Sequence, residues 1–319
     1  MMDDDDDDDD KKKIFVSFCH LFLVYKKNSA SSLENKMQSA VEKLRKYRDE
    51  NYRSHDEIIE LWTHVLSNRN LSSLGDEKWL ILEQIFKSAL HCSKQSIARQ
   101  CFEQLEKKFK TASRRVTTLN GMYFESIGEF ERAEEIYSTL LEDNETDAIV
   151  RKRQISLLKE QNQIREAISQ LNSYLELYQA DQEAWSELCD LYLSEHDYTK
   201  AAFCAEELLL INPHNHLNHE RYASIRYSQG DYEKARTYYF STLKINPTNI
   251  RSLYGIILTS TNLALKTLGT NSKIQNSNEN NQSFNEQIQW AREQIIQKYI
   301  ETTPDLLPIV ESAIQSLTL

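Results

Sequence analysis

The chain has 319 residues, enough to bury a core without disulfide or metal staples. Its 38 lysines and arginines against 49 aspartates and glutamates give a net charge of −11. Eight of those acids form the run Asp3 to Asp10, and without residues 1–13 the balance is only −6, an excess of acid that argues against a general nucleic-acid surface. Hydrophobic residues at 40% and charged residues at 27% place the chain in the soluble globular class. With 6 glycines and 4 prolines it holds few turn-forming residues, which favours long helices with short connections over a sheet.

Residues 1–32 are expected to be a disordered or lineage-specific extension. The apolar stretch Ile14 to Tyr25 is its one long hydrophobic run, and its twelve residues fall short of the roughly 20 needed for a membrane-spanning helix. A signal peptide would want a positive leader, whereas this stretch follows eight aspartates and three lysines. A tail whose apolar part docks on a partner, or an extension outside the functional domain, fits better. Five cysteines, Cys19, Cys92, Cys101, Cys189 and Cys204, are odd in number and lack CxxC spacing, so neither a disulfide framework nor a zinc site is expected.

From residue 33 to 78 the pattern predicts irregular helices. Met37, Val41, Leu44 and Tyr47 form one apolar stripe, and Asp76 is placed to cap the helix that follows. Beyond this a repeat emerges. Ala133, Ala167, Ala201 and Ala235 recur every 34 residues, each with Phe130, Ile164, Tyr198 or Tyr232 three residues before it. The same offset relates Asn212-Pro213 to Asn246-Pro247. The units are 79–113, slightly irregular at 35 residues, then 114–147, 148–181, 182–215 and 216–249. The unit 148–181 is the weak one, with Gln154 and Ile155 where a leucine and a small residue are usual. Residues 250–319 are expected to cap the stack, interrupted by a disordered asparagine-rich insertion at about 270–285. Ile288, Ala291, Ile295 and Tyr299 resume a helical stripe beyond it.

This pattern resembles the tetratricopeptide repeat. In 182–215 the motif positions hold Trp185, Leu188, Cys189, Tyr192, Ala201 and Pro213. Small residues let the two helices of a unit approach, and large ones fill the space between pairs. One such unit cannot bury its apolar face alone. The expectation is an all-α fold, a tetratricopeptide-repeat α-solenoid of antiparallel helix pairs, as a single domain over 33–319.

Chemistry is sparse. No HExxH, GxGxxG, P-loop, GxSxG or EF-hand pattern is present, so neither catalytic residues nor a cofactor or metal is expected. His214, His216 and His219 are the most metal-like cluster, but at an inter-repeat turn they read better as capping or solvated side chains. Cys204 with His196 suggests a nucleophile and base, yet a cysteine on a packed helix reads better as core.

A solenoid binds along the face made by its first helices. The candidate interaction groove is Arg115, Met122, Lys152, Arg153, Glu183, Glu187 and Asp190. Its face is mixed and partly acidic, unlike the basic-and-asparagine clamp of chaperone-binding repeats, and its acidic half would repel a peptide's terminal carboxylate.

Four segments go beyond the generic repeat: residues 36–62, 119–144 and 173–217, of which DQEAWSELCDLYLSEHDYTKAAFCAEELLLINPHNHL is the most specific, and the terminal helices. Over roughly 33–319 they resemble the family of the second subunit of the endoplasmic reticulum membrane protein complex. The resemblance implies a non-catalytic cytosolic scaffold, peripheral to the endoplasmic reticulum membrane, in a complex that inserts membrane proteins, including tail-anchored ones. It implies as partners the membrane-embedded insertase subunit, the small membrane subunit and a cytosolic, inactive metalloprotease-like subunit, with no nucleic acid. A soluble co-chaperone or an RNA-processing scaffold is the alternative.

Overall fold

Ala133, Ala167, Ala201 and Ala235 are all completely buried, as the close approach of paired helices requires. The computed structural model describes residues 34–67, 71–109, 113–269 and 274–317; the expected extension at 1–32 lies outside them. All regular structure among the described residues is helical. It falls into two compact units, divided between Leu157 and Leu158, inside the repeat that the sequence marks as weak.

The first unit begins with α1 (34–49), whose Met37, Ala40, Val41 and Leu44 are buried at helical spacing. Next comes α2 (His55–Leu61), running into a π-helical turn, Trp62–Leu66. That turn keeps Trp62 and Leu66 both in the core. There follow α3 (Glu77–His91), α4 (Gln95–Phe109), α5 (Arg114–Ser126), α6 (Phe130–Asp143) and α7 (Ala148–Glu160), which carries the division. Helices α3 and α4 pack as a pair, as do α5 and α6. Asp76 stands at the N-cap of α3, but its own backbone is already helical and its side chain makes no capping bond. The expected cap is therefore absent.

The second unit holds α8 (Ile164–Leu177), α9 (Gln182–Ser194), α10 (Tyr198–Ile211), α11 (His216–Ser228), α12 (Tyr232–Ile245), α13 (Ile250–Gly269), α14 (Ile274–Thr302) and α15 (Leu307–Leu317). Its pairs are α9 with α10, α11 with α12 and α13 with α14. Ala291 and Ile295 of α14 are completely buried against Leu253, Ile256 and Ile257 of α13, with Val310 and Ile314 of α15 completing the cluster. Helix α14 begins at Ile274, so most of the asparagine-rich stretch expected to lack regular structure is helical. Asparagine and serine are weak helix formers. The helix is anchored at its far end, from which propagation is easier than nucleation.

The backbone keeps the 34-residue register where side chains do not show it. Gly128, Asn162, His196 and Gly230 all have φ between +58° and +82°, and Ser93 has +55° in the irregular unit. Each turns the chain between the two helices of a repeat. Only two of the five are glycine, the residue for which this conformation carries no Cβ penalty. Starts of first helices recur likewise. Asp147, Asp181, Asn215 and Asn249 each accept a backbone N–H from the turn that follows, at 3.0 to 3.2 Å. Two glycines are required by packing: Gly121 and Gly255 lie flat under the rings of Tyr137 and Tyr239, where any Cβ would overlap the ring. Among the described residues no helix is long and apolar enough to cross a membrane.

Candidate interaction surface

The first helices of successive repeats are tied by ion pairs, and most of the expected groove residues belong to them. In the first unit, Glu83 of α3 holds Arg115 of α5 at 2.6 Å while also accepting from Lys87 at 2.7 Å. Glu125 of α5 pairs with Arg153 of α7 at 3.5 Å and accepts the Tyr137 hydroxyl at 3.0 Å. In the second unit, Lys159 pairs with Glu187 of α9, and Arg221 of α11 pairs with Asp190 of α9. Arg221 also donates to the Ser186 hydroxyl and carbonyl at 2.7 and 3.1 Å. Glu220 of α11 lies 4.0 Å from Arg251 of α13.

The spacing has a simple cause. Lys159 and Glu187 are 28 residues apart and Asp190 and Arg221 are 31, which is one period less about two helical turns or one. Side chains offset by whole turns face the same way on neighbouring helices. Glu83, Glu125, Lys159, Glu220, Arg221 and Arg251 complete these pairs and were not singled out by sequence reasoning. Opposite charges at offsets of 28, 31 or 32 residues, read within the repeat register, are the signal that finds them.

Of the expected groove residues, Arg115, Glu183 and Asp190 are exposed, while Lys152, Arg153 and Glu187 are half-buried. Met122 is a correction. It is 6% exposed and packs in the first unit's core, because Val116, Leu119 and Met122 form the buried stripe of α5. The structure thus makes Arg115, Arg153, Glu187 and Asp190 members of rungs between helices within each unit.

Arg115 also borders a cavity of about 750 Å³ in the first unit, within the size range of ligand and anchor sites. Its wall is apolar: Trp79, Leu80, Leu105, Phe109, Val116 and Leu119. Trp79 meets Phe109 edge-on at 5.3 Å, and Lys78 stands over its indole at 4.9 Å. At the rim Arg45 donates to both Glu77 oxygens at 3.0 and 2.8 Å, and this hydrogen-bonded guanidinium, with Arg48 beside it, holds the Glu77 carboxyl below the usual range. Such a site seats an apolar side chain of a partner, with charges at its mouth to orient it.

The second unit has a polar knot of its own. Glu206 of α10 accepts the Tyr222 hydroxyl at 2.6 Å and Arg226 at 2.7 Å. The Tyr222 hydrogen bond, then Arg226, keeps the Glu206 carboxyl low, while burial and Glu206 push the Tyr222 phenol up to about 12.

Several described side chains with chemical potential are otherwise engaged. His216 lies 3.3 Å from both Asn246 and Asn249, and the Nε2 of His219 sits 2.8 Å from the Pro213 carbonyl. Among the described residues no group of three metal-ligating side chains converges. Cys101 and Cys204 are completely buried, and burial pushes each thiol up to about 12, so both stay protonated and unreactive. His196 serves the left-handed turn.

The profile of the EMC2 TPR-like repeat domain family matches residues 101–231, from α4 to the end of α11. ER membrane protein complex subunit 2 from Xenopus tropicalis is 42% identical over 226 residues, covering 70% of this chain and 75% of that protein. The chain belongs to the ER membrane protein complex subunit 2 family. The subunit 2 of Dictyostelium discoideum is 32% identical over 191 residues, covering 56% of this chain and 59% of that one. TPR repeat protein oca3 of Schizosaccharomyces pombe is 32% identical over 157 residues, covering 49% and 55%. The stretch matching the subunit 2 family profile contains every expected groove residue and both members of three rungs, Glu125 with Arg153, Lys159 with Glu187, and Asp190 with Arg221.

Proposed function

We propose that the chain is a non-catalytic scaffold subunit of the endoplasmic reticulum membrane protein complex, peripheral to the membrane on its cytosolic side. In this role it holds the cytosolic and membrane subunits together while membrane proteins, including tail-anchored ones, are inserted. The observation that carries the reading is the 42% identity spanning three quarters of a protein that bears that complex's name. Paired repeats with satisfied inter-helix charges and an open apolar cavity suit a rigid frame that presents docking surfaces. The buried, protonated thiols suit a role without covalent chemistry. The partners in this reading are the membrane-embedded insertase subunit, the small membrane subunit and a cytosolic, inactive metalloprotease-like subunit, all held through surfaces such as the Arg115 cavity.

The test is isolation of the tagged full chain from cells in mild detergent. Recovery with multispanning subunits in fixed proportion is expected. Recovery as a lone chain, with chaperones or with ribonucleoprotein, overturns the reading in favour of a soluble co-chaperone or RNA-processing scaffold.

A further inference from the structure

Helix α10 departs from its own repeat. The second helix of each pair buries one stripe and turns the other outward, and the repeat register makes the outward positions comparable from unit to unit. At the position of Phe203, α6, α8 and α12 hold Glu135, Ser169 and Thr237; at that of Leu210 they hold Glu142, Glu176 and Lys244. All six are polar. Phe203 is 54% exposed and Leu210 75% exposed, although Ala201, Ala202, Cys204, Ala205 and Leu208 already supply the buried side of α10. Trp185 of α9 stands edge-on to Phe203, with ring centroids 6.0 Å apart, and widens the patch. The helix is therefore apolar around most of its circumference, a composition that belongs to a helix covered on both sides.

We propose that this stripe docks one α-helix of a partner polypeptide, carrying two large apolar side chains seven residues apart with a lysine or arginine between them. Phe203 and Leu210 are themselves seven apart, about two turns and roughly 10 Å along the axis, so a helix laid along α10 meets both with the same spacing. The charge follows from Glu207, which lies on the stripe between them. Among the described residues Glu207 makes no ion pair, whereas Lys200 is held by Asp197 and Glu206 by Arg226. The charge left facing the stripe is negative and calls for a base. A second copy of this chain in two-fold pairing would set Glu207 against its own equivalent. An anionic membrane surface would be repelled by the same carboxylate.

The inference rests on the scaffold reading only in seeking the helix within the isolated assembly. A photo-crosslinker is placed by Phe203→p-benzoylphenylalanine in the full chain, the assembly is irradiated after isolation in mild detergent, and the joined peptide is sequenced by mass spectrometry. The expected peptide comes from a different polypeptide and has large apolar residues seven apart with a base between. A peptide without that pattern, a second copy of this chain, lipid alone or no crosslink overturns the proposal. Two variants give a second readout. Phe203→Ser with Leu210→Glu installs what α8 carries at these positions, so the thermal midpoint is expected to hold while recovery of the crosslinked polypeptide falls at least about tenfold, as loss of buried anchors predicts. Glu207→Lys is expected to weaken recovery similarly and to be rescued by a glutamate in place of the partner's base. Undiminished recovery with either variant overturns the docking. Loss of the multispanning subunits in the unaltered chain would instead sink the scaffold reading while leaving the crosslink result interpretable.

Discussion

On α9 the charged side chains Glu187 and Asp190 meet Lys159 and Arg221, while on its partner α10 the apolar side chains Phe203 and Leu210 stand in solvent. The two helices form one repeat, yet the charged edge is closed within the chain and the apolar face is open. A repeat array can satisfy charges between its own helices at little cost, since each rung needs only opposite signs one or two turns out of register. It has no internal way to cover the outward face of a second helix. The charged edge therefore reports on how repeats are locked to one another, and an apolar outward residue reports on what lies outside the chain.

The sharpest test of that contrast uses two leucines on α10. Leu208 is 2% exposed and Leu210 75% exposed. Leu208→Ala is expected to lower unfolding free energy by about 2–5 kcal/mol, and Leu210→Ala by no more than about 0.5 kcal/mol, in urea denaturation of the full chain. Comparable losses at the two sites would mean that Leu210 is packed within the chain, and the comparison would collapse.

The rungs should differ among themselves in the same way. Glu83 has 11% side-chain exposure and serves two cations, whereas Asp190 has 68%. Glu83→Ala is expected to cost about 1–2 kcal/mol, less than a fully buried pair because Arg115 is itself mostly in solvent. Asp190→Ala should cost about 0.5 kcal/mol or less and lose even that in high salt. Equal, salt-insensitive losses at both positions would show that the rungs are not electrostatic in origin.

The fold was legible where one residue type is forced by packing. Four alanines at one interval gave the register, and the structure leaves none of them exposed. The left-handed turn between paired helices was hidden because Ser93, Asn162 and His196 stand where Gly128 and Gly230 would have shown the pattern. The groove was harder to read because position alone does not tell which way a side chain turns. Met122 lies at a groove position of the motif, but α5 buries it in line with Val116 and Leu119. The rungs were harder to see for another reason: each joins residues 28 to 32 positions apart on different helices, an offset that carries meaning only once the repeat register is converted into whole helical turns. The outward stripe of α10 was in plain view, since Phe203 and Leu210 fall on polar positions of the neighbouring repeats, but only the exposures separate it from core.

An effect smaller than that at Glu83 is expected at the knot that closes α10 from its other side. Glu206 is 44% exposed, and its carboxyl is held low by the Tyr222 hydroxyl first and by Arg226 next. A carboxyl whose folded pKa is depressed contributes stability that is present in full above the usual carboxylate range and disappears as pH falls through the depressed value. Glu206→Gln keeps the shape and an acceptor for both partners but removes the charge. The wild type should therefore exceed this variant by up to about 1 kcal/mol at pH 7, with the gap closing as the medium is acidified below the ordinary carboxylate range. Paired urea titrations at several pH values measure that gap directly. A gap independent of pH would assign the knot to packing and neutral hydrogen bonds. Charge on α10 would then reside in Glu207 and the Lys200–Asp197 pair, and the contrast between a closed charged edge and an open apolar face would narrow to the first helices.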